Sequence, residues 1–221
     1  MAATPRFAAA LFDVDGTLLD STEFVVGAIE HVLQSRNRVP PPRSVIARSL
    51  GPPLPDCYRQ LAPDLDPVPL CAEHRAWQLQ RRHLVKPFPH AATVLRALRE
   101  AGVRLAAVTA RSRISSLGTL ADAGLDGLLE FTISAEDVAR MKPDPEALLV
   151  ALHRLNVTPA RAVMIGDTTA DILAGKAAGV TTMGVLYGFH GAGLAQVNPD
   201  FLVRDIRELP PLILDRRPSS P

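Results

Sequence analysis

Cysteine is scarce in this sequence. Cys57 and Cys71 stand alone, and they form neither a C-x-x-C pair nor the repeated spacing of a disulfide framework. Small, buried apolar roles are expected for both, in a reducing cytoplasm. A charge excess of one sign is missing as well. The formal net charge is +1 over 221 residues, which gives no broad field to attract nucleic acid or an anionic membrane. No apolar run approaches the roughly 20 residues needed to span a bilayer. The first apolar stretch, Phe7 to Phe12, stops at Asp13, which is short for a signal peptide and suits a first core strand. Internal repeats and extended low-complexity segments are absent too. The length accommodates one α/β domain with an inserted subdomain.

What the chain does have is a concentration of acids at strand ends. Leu11-Phe12-Asp13-Val14-Asp15-Gly16-Thr17 takes a buried strand straight into two carboxylates. A buried strand tolerates no unpaired charge, so the acids emerge where the strand leaves the core. Parallel α/β sheets place their ligand sites at such ends. Two carboxylates about 4 Å apart repel by roughly 4 kcal/mol at an effective dielectric of about 20. A shared proton, a cationic side chain or a metal must compensate.

A second acidic end lies downstream. Arg161 to Asp167 reads as a short strand closing on Gly166-Asp167, and Asp171 opens the Ala/Gly-rich helical run Thr169 to Ala178. Helix capping is the ordinary role for an acid there. Two more strand ends carry polar groups. Val103 to Val108 runs into Thr109-Ala110-Arg111, where a hydroxyl and free backbone amides suit an anion. Lys142 precedes Pro143-Asp144-Pro145 and the helical pattern that ends at Leu155.

The pattern between these motifs divides the chain. From Ser21 to Val85 apolar residues recur at helical spacing with no strand candidate: Phe24 to Leu33 with Ser21 or Thr22 as cap, a short helix through Leu50, Leu54 to Leu61, and Val68 to Leu84. After Pro87, helices and strands alternate. The predicted strands are 103–109, 129–133, 162–165 and 181–185, and the predicted helices are 90–101, 114–124, 145–155 and 169–178. Such alternation predicts a parallel sheet with helices on both faces.

In order, Asp-x-Asp-Gly-Thr, Thr109, Lys142 and Gly-Asp-x-x-x-Asp resemble the motifs of the haloacid dehalogenase superfamily of phosphohydrolases, from about Phe7 to Val203. The chain looks most like the phosphoglycolate-phosphatase-type branch, and Lys86-Pro87-Phe88-Pro89-His90 resembles that branch's return from cap to core. The resemblance implies a Rossmann-like core, residues 1–20 with 86–214, whose first strand is central. It also implies an all-helical cap, residues 21–85, and leaves 215–221 as a disordered tail.

The resemblance also implies roles. Asp13 is the nucleophile that forms an aspartyl phosphate, and Asp15 is the general acid and base. Thr109 and the Ala110 amide bind phosphate, with Lys142 as a fixed positive charge. Mg²⁺ is held by Asp13, the backbone carbonyl of Asp15, and Asp167, with Asp171 joining directly or through water. Relatives often carry Asn or Ser where Ala110 stands, so one side-chain contact is missing here. Expected substrate contacts on the cap are Glu23, Arg48 and the turn at Gly51, with Arg43, Arg48 or Arg59 available to a carboxylate. Among the cap histidines, His31, His74 and His83 are expected in surface or packing roles, with Trp77 anchoring the cap core. Arg111 and Arg113 follow the phosphate loop closely enough to affect it.

The reading is therefore a Mg²⁺-dependent phosphatase acting on a small phosphorylated metabolite, phosphoglycolate-like by preference, as a monomer or homodimer. A phosphomutase or a pyrophosphatase of the same branch shares every residue named. A signalling receiver domain is disfavoured by the order of the motifs, and a non-enzymatic relative by the presence of all the acids.

Overall fold

The computed structural model describes residues 5–214, so the tail expected at 215–221 lies outside the described residues. Six strands form one parallel sheet: β1 (Ala9–Phe12), β4 (Arg104–Val108), β5 (Phe131–Ile133), β6 (Ala162–Gly166), β7 (Thr181–Val185) and β8 (Phe201–Val203). Their order across the sheet is β5-β4-β1-β6-β7-β8, which makes β1 interior as expected. Side chains alternate along β1, so Ala10 and Phe12 enter one apolar cluster while Ala9 and Leu11 enter the other. Burial of both faces is why β1 reads as a continuous apolar run rather than an alternating one. Helices α5 (Ala91–Glu100), α6 (Arg113–Asp122) and α9 (Leu209–Leu214) supply residues to the first cluster. Helices α7 (Glu146–Leu155) and α8 (Thr169–Ala177) supply the second.

Register decides where the chemistry sits. Phe12, the last residue of β1, is level with Ala107 of β4 and Ile165 of β6, and those two strands run one residue further, to Val108 and Gly166, before they leave the sheet at the same edge. Asp13, Thr109 and Asp167 therefore emerge side by side from the carboxyl ends of three adjacent strands.

The chain leaves and returns through a two-stranded antiparallel ribbon, β2 (Leu19–Asp20) with β3 (Lys86–Pro87). Between them lie α1 (Thr22–Gln34), α2 (Arg43–Ser49), α3 (Leu54–Leu61) and α4 (Pro67–Leu79), with an apolar cluster of their own that includes Val26, Ile29, Ile46, Tyr58 and Leu70. Three expectations need correction here. Helix α4 stops at Leu79, and Arg82–Leu84 form a separate 3-10 turn, because Leu84 packs on the sheet's cluster and not on the insert's. The Ser21 hydroxyl is buried without a partner among the described residues and caps nothing; the Asp20 carboxylate accepts from Thr22 N instead. Trp77 is only partly buried, lying against Gly27 with the Arg81 guanidinium 4.5 Å from its ring.

Strand β8 and helix α9 were not expected from the sequence. A three-residue strand and a helix with two prolines in its first turn carry too little pattern to read.

Candidate active site

Lys142 is the centre of the site. Its side chain is 2% exposed, which rules out the ordinary role of a solvated lysine. Nζ donates to Asp13 Oδ1 at 2.6 Å, to Asp171 Oδ1 at 2.6 Å and to the Val108 carbonyl at 2.8 Å. All three ammonium protons are thus accounted for. Burial opposes the lysine's charge, but the Asp13 and Asp171 carboxylates overcome it and push its pKa up.

The acids outnumber that cation. Asp13, Asp167 and Asp171 are buried, and each places a carboxylate oxygen within 4.8 Å of the others. Burial raises Asp13 to about 7 despite Lys142, with Asp171 and Asp15 adding to the rise. Burial likewise raises Asp167, with Asp13 and Asp171 repelling its charge. Three carboxylates facing one lysine are short of positive charge, and every donor is a hard oxygen. A divalent cation of the Mg²⁺ type fits such a cluster.

Asp167 is boxed in. Thr17 Oγ1 donates to its Oδ1 at 3.0 Å and Phe189 N to its Oδ2 at 2.7 Å. Gly16 has φ +79° and Gly188 lies on the other side; a Cβ on either would stand within 2.5 Å of an Asp167 side-chain atom. Asp171 does two things. Its Oδ2 accepts from Thr168 N and Oγ1 at 3.0 and 2.7 Å, which is the expected capping of α8, and its Oδ1 meets Lys142. The capping role and the site role are filled by different oxygens of one carboxylate.

Above this cluster lies a cavity of about 600 Å³. Asp13, Asp15, Thr109, Ala110 and Lys142 line it from the sheet, and Gly51, His74, Arg75 and Gln78 line it from the insert. Thr109 is buried and its Oγ1 accepts from Arg111 N at 3.2 Å, which holds the loop in a turn. Asp15 Oδ1 accepts from Arg111 Nη1 at 2.9 Å. Asp15 Oδ2 makes no hydrogen bond to another described residue.

Several expected substrate contacts lie elsewhere. Glu23 is exposed and pairs with Arg43, which also pairs with Glu30 at 2.8 Å. Arg59 pairs with Asp56, and Arg48 is exposed; none of these lines the cavity. Their helices turn these positions to solvent while Ile46 and Tyr58 face the insert's core. Of the three expected cap contacts, only Gly51 faces the cavity. His31 and His83 are exposed, whereas His74 is buried and its Nδ1 lies 3.0 Å from Tyr58 Oη. Arg113 is exposed and pairs with Asp137 at 2.6 Å.

Sequence reasoning missed Arg75 and Phe189, which stand outside the motifs, and it gave no role to Thr17 or Thr168, which stand inside them. Thr17 had a legible signal as the hydroxyl of the Asp-x-Asp-Gly-Thr run. Arg75 and Phe189 had none, because only the folding of α4 and of the loop after β7 brings them to the site.

Comparison with known proteins gives a consistent result. Residues 10–185 match the family model described as haloacid dehalogenase-like hydrolase. The chain is 36% identical over 217 residues to a plasmid phosphoglycolate phosphatase of Cupriavidus necator, covering 95% of this chain and 94% of that one. It is 30% identical over 200 residues to the pyrophosphatase PpaX of Halalkalibacterium halodurans, covering 90% and 93%. Among solved structures, a HAD family hydrolase of Deinococcus radiodurans R1 with bound phosphate and sodium superposes with a TM-score of 0.75 at 28% identity, over 94% and 95% of the two chains. With two acidic strand ends, a buried lysine between them and a sheet whose first strand lies inside, the chain belongs to the haloacid dehalogenase-like hydrolases.

Proposed function

We propose that the protein is a Mg²⁺-dependent phosphatase of small phosphorylated metabolites, working through a phosphoryl group carried on Asp13. The observation that carries this reading is the buried Lys142, which bridges Asp13 and Asp171 beside Asp167 at the foot of the cavity. The relative names support phosphoglycolate as the first substrate to try, and pyrophosphate as the second. Residues 21–85 serve as a cap over a core made of 1–20 and 86–214. The free, buried thiols of Cys57 and Cys71 suit a cytoplasmic setting.

Asp13, Asp167 and Asp171 would hold the Mg²⁺, with the backbone carbonyl of Asp15. When bound, the ion supplies positive charge to the cluster and to the phosphoryl oxygens. The chain's own residues do the rest. Lys142 fixes the Asp13 carboxylate through Oδ1 so that it faces the cavity in one orientation. Asp13 attacks phosphorus, and the bond from phosphorus to the leaving oxygen breaks. The leaving oxygen takes a proton from Asp15, whose Oδ2 is the oxygen free to carry it. Asp15 then takes a proton from water as that water attacks the aspartyl phosphate, which releases inorganic phosphate and restores Asp13. Thr109 and the Ala110 amide receive the phosphoryl oxygens at the end of β4.

The test is inorganic phosphate release from 2-phosphoglycolate, pyrophosphate and a panel of phosphomonoesters, with Mg²⁺, with EDTA, and with Asp13→Asn. Release that requires both Mg²⁺ and Asp13 supports the reading. Release that persists in folded Asp13→Asn removes Asp13 as nucleophile, and no release from any compound removes the hydrolase reading.

A further inference from the structure

The cavity wall carries three cationic side chains, and they are not equivalent. Lys142 is committed to Asp13 and Asp171. Arg111, at the end of β4, donates to Asp15 Oδ1, to Ser115 Oγ at 2.6 Å and to the Ser115 carbonyl at 3.1 Å, while its Nε is buried with no hydrogen-bond partner among the described residues. Arg75 comes from the other side of the chain's division, on α4 of the helical insert. It lines the cavity, yet it makes no ion pair and no side-chain hydrogen bond among the described residues.

These facts leave unspent cationic capacity facing a ligand. We infer that Arg75, with Arg111, forms a receptor for a second anionic group on the substrate, separate from the phosphoryl group that Asp13 receives. The inference rests on the phosphatase reading for the identity of the first group, and it adds the substrate class: compact molecules with a carboxylate or a second phosphoryl group near the reacting one.

Three observations support it. Arg75 and Arg111 both act on His74, which lines the same cavity: after burial, their charges are what hold its imidazole neutral, so the two guanidiniums serve one region of the wall. Next, apart from His74 and Gln78 the insert's wall around Arg75 is largely apolar, including Leu50, Pro52, Pro53 and Leu54. A guanidinium beside such a surface loses hydration when a ligand fills the cavity, and a neutral tail returns nothing for that loss. An anionic tail does, because a planar guanidinium meets a carboxylate or phosphoryl group with two parallel N–H donors. The site therefore selects against neutral tails as well as for charged ones. Finally, the arginines that would otherwise compete for this role, Arg43 and Arg59, are already paired with insert carboxylates away from the cavity.

The test measures binding and not turnover. Affinities of the Mg²⁺-loaded protein would be determined calorimetrically for three unreactive probes: phosphonoacetate, with a carboxylate tail; methylenediphosphonate, with a second phosphoryl group; and ethylphosphonate, with a neutral tail. One or both anionic-tailed probes should bind at least about tenfold more tightly than ethylphosphonate. The arm with the larger ratio identifies the second group. Arg75→Gln should bring that ratio down to about threefold or less. Arg75 is exposed, so this variant should fold; Arg111→Lys, which keeps the charge and loses the fork, should lower the ratio in part. Equal affinity for all three probes, no binding of any, or an unchanged ratio in Arg75→Gln would each overturn the receptor. If the ratio behaves as stated but no compound is hydrolysed, the phosphatase reading fails and the receptor stands. If phosphate is released but the ratio is one, the receptor alone fails.

Discussion

Gly16 lies so close to Asp167 that a Cβ built on it would stand 2.1 Å from Asp167 Oδ2. The glycine of the first motif is thus fitted to the acid of the last, 151 residues later in the chain. Gly16 also has φ +79°, a conformation that costs an L side chain roughly 1–2 kcal/mol. Gly16→Ala should lower stability by about 1–3 kcal/mol and weaken Mg²⁺ binding through displacement of Asp167. Urea denaturation and Mg²⁺ titration check this. Unchanged values in both would show that the loop relaxes without disturbing the acid.

Mg²⁺ should stabilise the fold, because it binds a cluster that the unfolded chain does not assemble. At about 100 times its dissociation constant, the gain is about 2.7 kcal/mol. Thermal melts in Mg²⁺ and in EDTA measure it, and Asp167→Asn should abolish most of the difference. An equal response in that variant would place the ion elsewhere.

Among the described residues, Lys142 carries the only ammonium in contact with Asp13 and Asp171, and Lys142→Met removes it. Breaking a buried pair in this way typically costs about 3–5 kcal/mol, because the charge left behind has no compensation. The loss should be largest in EDTA near neutral pH and smaller at pH 5, where the carboxylates take up protons. Turnover should fall by at least about a hundredfold. A variant as stable as the parent in EDTA would contradict the shortage of positive charge described above.

His74 should impose a pH dependence of its own. Burial, with Arg75 and Arg111 nearby, lowers its pKa to about 3 from an ordinary value of 6.5. Between those values the unfolded chain binds a proton that the folded protein excludes. Stability from this residue is therefore complete above pH 6.5 and falls on acidification towards pH 3, by up to about 1.4 kcal/mol per pH unit. Asp13 and Asp167, whose carboxyls are raised, tilt the total the opposite way. The difference between the parent and His74→Gln across pH 4 to 8 isolates the histidine. A flat difference curve would mean that His74 takes up its proton equally in the folded and unfolded chain.

The sequence by itself determined five of the sheet's six strands, their alternation with helices and the residues at their ends. A strand buried on both faces must be apolar until it leaves the core, so Asp13, Thr109 and Asp167 announce themselves as the first polar residues after such runs. Lys142 was legible as part of the motif order, while its 2% exposure was not. That depends on Asp13, just past β1, and Asp171, in the first turn of α8, converging on it from 129 and 29 positions away. The helical insert was legible as helices, but not in the direction its side chains face. Amphipathic spacing shows that α2, α3 and α4 each have a buried side, without showing whether an arginine beside that side meets solvent or the cavity. Arg43, Arg48 and Arg59 turn outward, and Arg75 faces the cavity. Nothing local distinguishes these positions; the packing of the insert over the sheet does, because a side chain's neighbours across the cavity come from elements that are distant in sequence.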